Sequence, residues 1–101
     1  MRRGTTSTNI FNTNEDLTDT KVYVSYFQRG RIVLEKTNKD IVIDHNKITV
    51  PLSQSDTLRL SSDVPIHIQV RYINNNGLAS ASNIIETKIE KILRGGVISY
   101  E

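Results

Sequence analysis

A chain of 101 residues, 37% hydrophobic and 24% charged, is long enough for one domain with its own core and too short for a buried active site of several parts. Its 13 basic and 11 acidic residues are mixed along the chain and leave a net charge of +2, which excludes the strong basic excess that draws a domain to nucleic acid or anionic lipid. With no Cys there is no disulfide framework, thiol nucleophile or thiolate metal cage, and no stretch approaches the roughly 18 apolar residues of a membrane span.

The first 20 residues hold only Met1, Ile10, Phe11 and Leu17 as apolar groups, so neither a signal peptide nor a membrane anchor is expected there. Thirteen Ile, eight Val and ten Thr, against two Ala, move the chain toward all-β, because branched side chains lose rotamer freedom in a helix and pack well on a pleated surface. Residues 1–20 are predicted to be an extended arm, with a short strand around residues 7–11. From Lys21 to Gln28, Val22, Val24 and Tyr26 take one face of a strand and Tyr23, Ser25 and Phe27 the other. Arg29-Gly30 then reverses the chain into a partner strand over residues 31–36. A type I′ turn prefers Asn or Asp where Arg29 stands, so a bulged three-residue loop competes with it, and the faces of Val33 and Leu34 stay open.

Two more short strands, residues 41–43 and Lys47 to Leu52, flank a polar reversal at Asp44-His45-Asn46. Ser53-Gln54-Ser55-Asp56 has the spacing of a capping box, and Leu58 and Leu60 are predicted to return to the core. After Pro65, the residues Ile66, Ile68, Val70 and Tyr72 alternate with His67, Gln69 and Arg71 as a half-buried strand. Asn74-Asn75-Asn76-Gly77 is a turn. A last strand over residues 78–89 would put Ala79, Ala81, Asn83, Ile85, Thr87 and Ile89 on one face, the small residues implying close approach of another backbone. Residues 90–93 either extend it or turn helical, Arg94-Gly95-Gly96 breaks it, and an apolar tail follows. About seven short strands at hairpin spacing predict an antiparallel immunoglobulin-like β-sandwich. The expected organisation is an arm over residues 1–20, a core over 21–93 and a tail over 94–101.

Chemistry is sparse. His45 sits in a turn between two polar residues and His67 on the outward side of its strand, whereas a metal needs three or four converging donors. No Ser or Thr lies in a nucleophile motif, so no catalytic residue, metal or cofactor is expected and the chain is read as non-enzymatic. Arg29 and Arg31 at a hairpin tip, with Arg2 and Arg3 in the arm and tyrosines for stacking, suggest a single-stranded nucleic-acid-binding barrel as an alternative, but Glu35, Asp40, Asp44 and Glu86 interrupt any basic stripe. The ends are more informative. Ile10 and Phe11 in the arm, and Val97, Ile98 and Tyr100 in the tail, could pair with a neighbouring sheet or fill a groove of another subunit; equally, they could close the domain's own edges.

Several ordered segments carry a resemblance: Met1-Arg2-Arg3-Gly4-Thr5-Thr6; Val24 to Gly30 running into Ile32 to Thr37; Leu52 to Leu58; Ile68 to Arg71; and Asn76-Gly77 with Ala79 to Ile85. In this order they resemble small tail-region proteins of bacteriophages and prophages of Gram-positive gut bacteria. More distantly, the chain is similar to the immunoglobulin-like N-terminal domain of phage baseplate upper proteins. Where that group often has Pro after the initial segment this chain has Ser7, and its hairpin Asn-Gly is here Arg29-Gly30. The resemblance implies a virion structural protein, assembled in the bacterial host cytoplasm. Such a protein docks among other virion proteins in a symmetric homo-oligomeric tail or baseplate, or mounts a receptor-binding component. A capsid decoration or head-to-tail connector is the alternative within the same class.

Overall fold

Ile66, Ile68 and Val70 bury one side of a strand because their neighbours in register, Val24 opposite Val70 and Tyr26 opposite Ile68, are apolar on the same side. In the computed structural model, which describes residues 1–100, that pair lies at the centre of the larger of two antiparallel sheets. The elements in chain order are β1 (Ser7–Asn12), β2 (Lys21–Gln28), β3 (Arg31–Thr37), a 3-10 turn (Asn38–Asp40), β4 (Val42–Asp44), β5 (Lys47–Leu52), α1 (Gln54–Leu58), β6 (Ile66–Ile73), β7 (Ala79–Ala81) and β8 (Ile85–Thr87). One sheet has the order β1-β5-β4, the other β3-β2-β6-β7, with β8 also paired to β6. Ile48, Val50 and Leu52 of β5 join Val22, Val24 and Tyr26 of β2 and the β6 residues in one buried cluster. Burial of each such side chain contributes roughly 1.5–3 kcal/mol. The short axis of 17 Å fits two sheets about 10 Å apart face to face.

The capping box forms as the spacing requires. The Ser53 hydroxyl accepts from the Asp56 N–H at 3.1 Å and the Asp56 carboxylate accepts from the Ser53 N–H at 2.9 Å, which starts α1. At the first hairpin the two-residue turn forms and the three-residue loop does not, since Gln28 pairs with Arg31; the bulge lies within β3 instead. Arg29 and Gly30 have φ of 54° and 75°, the two positive values of a type I′ turn, and the register slips between Tyr26 and Phe27, leaving Val33 as an extra residue in β3. Val33 and Leu34 accordingly both pack on the core.

Two expectations need correction. The first 20 residues are not an arm outside the core: Leu17 is buried within it, β1 is paired to β5, and Arg2 forms a parallel bridge to Glu90. The core therefore starts well before residue 21. The last strand does not keep one face over residues 78–89. Arg71 opposes Ala81 but Ile68 opposes Ile85, so residues 82–84 face only residues 69–70 and form a bulge. Ser82 fills the gap: its N–H donates to the Val70 carbonyl at 2.8 Å and its hydroxyl accepts from the Val70 N–H at 3.0 Å. The bulge turns Ala79 and Ala81 to the outer face, where both are exposed, and Ile85 and Thr87 to the core side of the sheet.

Candidate functional site

The sequence candidates divide once parity and long-range bonds are in place. In β1, Phe11 turns inward and packs on the core, while Ile10 is 55% exposed on the opposite side. Arg3 is drawn into the body: its Nε donates to the Leu60 carbonyl and its Nη2 to the Leu58 carbonyl, both at 2.8 Å, satisfying acceptors at the end of α1. Arg2 remains exposed, with Nη1 on the Lys91 carbonyl at 2.8 Å. Thr57, fully buried, donates to the Thr5 carbonyl at 2.8 Å and fixes the same segment from below. Arg29 and Arg31 stand exposed at the first hairpin tip. Among the described residues no arginine forms an ion pair.

At the other end, Leu93, Val97, Ile98 and Tyr100 are all exposed. Gln54 of α1 holds this run by a paired bond, its Oε1 accepting from the Ile98 N–H at 2.8 Å and its Nε2 donating to the Ile98 carbonyl at 3.1 Å. The tail is thus anchored through backbone while its apolar side chains meet solvent. Sequence reasoning singled out Val97, Ile98 and Tyr100, not Leu93, and had no signal for the Gln54 clasp, which joins positions 44 apart.

A surface that sequence reasoning passed over is the outer face of the larger sheet. Tyr23, Phe27, Ile32, Ile73 and Ala79 line a shallow depression there, with Glu35 and Arg71 among them. Its signal was the second parity of β2. His67 lies on this face and is 3.1 Å from the Glu86 carboxylate across the β6–β8 pairing. His45 occupies the β4–β5 turn with φ of 55° and has Asp16 and Asp44 carboxylates each 3.8 Å away. The Thr18 side chain and N–H, bonded to the Asp16 carboxylate, hold that group below the usual carboxylate range. Among the described residues no group of three or more His, Asp or Glu converges as a metal site would require.

Among the described residues every buried side-chain nitrogen and oxygen has a hydrogen-bond partner. Gln28 holds the loop after α1, its amide bonded to the Ser61 carbonyl at 2.7 Å and accepting from the Ser61 N–H at 2.9 Å. Lys36 and Asp56 form a 2.9 Å ion pair between β3 and α1. No family model, curated protein or solved structure matches the chain.

Proposed function

We propose that the chain is a non-enzymatic virion structural protein, an immunoglobulin-like β-sandwich that docks into a symmetric bacteriophage tail or baseplate assembly or mounts a receptor-binding component there. The immunoglobulin-like reading is supported by strand order. The β1-β5-β4 and β3-β2-β6-β7 pairings follow the B-E-D and C′-C-F-G order of such sandwiches, and the buried Tyr26 takes the central position on the C-equivalent strand that a large aromatic usually holds. The tail or baseplate setting rests on the resemblance of the ordered segments to phage tail-region proteins.

The observation that carries the reading is the exposed apolar run at residues 93–100. Solvent contact at Leu93, Val97, Ile98 and Tyr100 is unfavourable for a solitary domain, and burial against another subunit relieves it. Gold-labelled antibody against the chain, applied to phage particles purified from the producing host, should mark the tail tip. Gold on the head would favour the capsid alternative, and absence of the chain from purified particles by mass spectrometry would overturn both.

A further inference from the structure

We propose that β1 is a pairing edge through which two copies of this chain join about a two-fold axis at Ile10, an inference that rests on the assembly reading for its biological setting and on edge geometry for its detail. The two sheets present four edges, and three are blunted by devices that prevent strand addition. The β3 edge has its bulge at Val33, the Arg59 guanidinium on the Val33 carbonyl at 2.6 Å, and the Asp40 carboxylate on the Thr37 N–H at 3.1 Å. β4 is only three residues long. The β7–β8 edge is broken by the bulge at residues 82–84. β1 has six residues in unbroken register, with no charge, proline or bulge.

Hydrogen-bond parity says which groups that edge offers. The two-residue turn His45-Asn46 closes on Asp44 and Lys47, so the odd residues of β5 bond toward β4 and the even ones toward β1. Pro51 agrees, since it lacks an N–H and lies past the end of β4. The Thr13 N–H, which donates to the Asn46 carbonyl at 2.9 Å, continues the same pattern. Ser7, Asn9 and Phe11 therefore bond inward, and the N–H and C=O groups of Thr8, Ile10 and Asn12 point out from the edge. Among the described residues no side chain bonds to them.

This set is self-complementary. A two-fold axis at Ile10 sets Ile10 against its own counterpart, Thr8 against the second copy's Asn12, and Asn12 against the second copy's Thr8. Each pair exchanges both of its hydrogen bonds. Centring the axis on Asn9 or Phe11 leaves one such pair fewer. Side chains agree with the same register: Ile10, the exposed apolar group of β1, covers its symmetry mate. Charge agrees as well. The exposed Arg2 precedes the strand and the exposed Glu15, Asp16 and Asp19 follow it, so antiparallel pairing brings the basic end of one copy to the acidic end of the other.

The test uses the full chain, whose lack of Cys makes one introduced thiol unambiguous. A hydrogen-bonded antiparallel pair has Cα atoms about 5.5 Å apart, within disulfide range. Under mild oxidation Ile10→Cys should form dimers on the order of tenfold faster than Val42→Cys, an equally exposed position on β4, because pairing raises the effective thiol concentration. Ile10→Lys should abolish self-association in sedimentation velocity, with a cooperative melting transition that no longer depends on protein concentration. Equal cross-linking rates for the two cysteines would overturn β1 pairing. If the chain then still sedimented as an oligomer, the assembly reading would stand without this edge. Absence of the chain from phage particles alongside fast Ile10→Cys dimers would remove the virion setting and leave the pairing.

Discussion

The Tyr26 hydroxyl, on the central strand of one sheet, donates to the Asn9 side-chain oxygen on the edge strand of the other at 2.6 Å. This bond crosses the core. Burial, aided by the negative charge of Asp56, pushes the Tyr26 hydroxyl well above its usual ionisation range, so it stays a donor throughout the physiological range. Asn9 is only half-buried and water can reach it once the donor is gone. Tyr26→Phe should therefore cost about 1 kcal/mol, and a double-mutant cycle with Asn9→Ala should return a coupling of similar size in urea denaturation. A coupling near zero would mean that side-chain packing alone joins the sheets.

Asp56 serves α1 twice, closing its capping box and pairing with Lys36. Partial burial pushes its carboxyl up, but the Ser53 N–H and the Lys36 hydrogen bond and charge outweigh burial and hold it below the ordinary value. A depressed value in the folded state means the contribution is in force above the unfolded value of about 3.9 and is lost as pH falls through the folded one. Asp56→Asn should be destabilised at pH 7, and its difference from the parent should close as the pH drops below about 3.9. Ser53→Ala, which removes the reciprocal cap, should cost about 1 kcal/mol. Denaturation midpoints from pH 2 to 7 would check both; a difference that persisted unchanged at the acid end would contradict the sign.

Gly4 has φ of 75°, and a Cβ there would lie 2.7 Å from Ile92 Cδ1 and 3.5 Å from Leu58 Cδ2. Left-handed backbone alone costs an alanine roughly 1 kcal/mol. Gly77, with φ of 82° and open space around it, isolates that backbone cost. Gly4→Ala should therefore lose more stability than Gly77→Ala by about 1 kcal/mol, the excess measuring how far the Ile92 side chain resists displacement. Equal losses would show that Ile92 gives way freely.

Legibility in the sequence followed the range of the interactions. The alternation of β6 was readable because one of its faces is buried and the other is not, and the Ser53–Asp56 box because its bonds span three residues. Arg3 gave no such signal, since the carbonyls it reaches lie 55 and 57 positions away. The bulge at residues 82–84 was hidden for a related reason. Ser82 looks like any strand serine until its hydroxyl replaces a backbone acceptor for Val70. Ile10 and Phe11 were both visible as apolar residues among polar ones, but only the register with β5 decides that Phe11 faces the core and Ile10 the solvent. The free edge of β1 required that same register.

The tip of the first hairpin offers a gain rather than a loss. A type I′ turn needs positive φ at both central residues, and Arg29 supplies it at 54° despite carrying a Cβ and a long side chain. Asn tolerates that region better because its short polar side chain bonds locally. Among the described residues Arg29 forms no ion pair, and it stands exposed, so its replacement sacrifices no partner among them. Arg29→Asn should raise stability by about 0.5 kcal/mol, a melting-point rise of roughly 2–4 °C for a domain of this size. Arg31→Asn is the control, since Arg31 is the first residue of β3 and has no positive φ to relieve. It should leave stability level or slightly lower, given the weak strand preference of Asn. Equal shifts from both would assign the effect to lost positive charge at the tip instead of to backbone strain at Arg29.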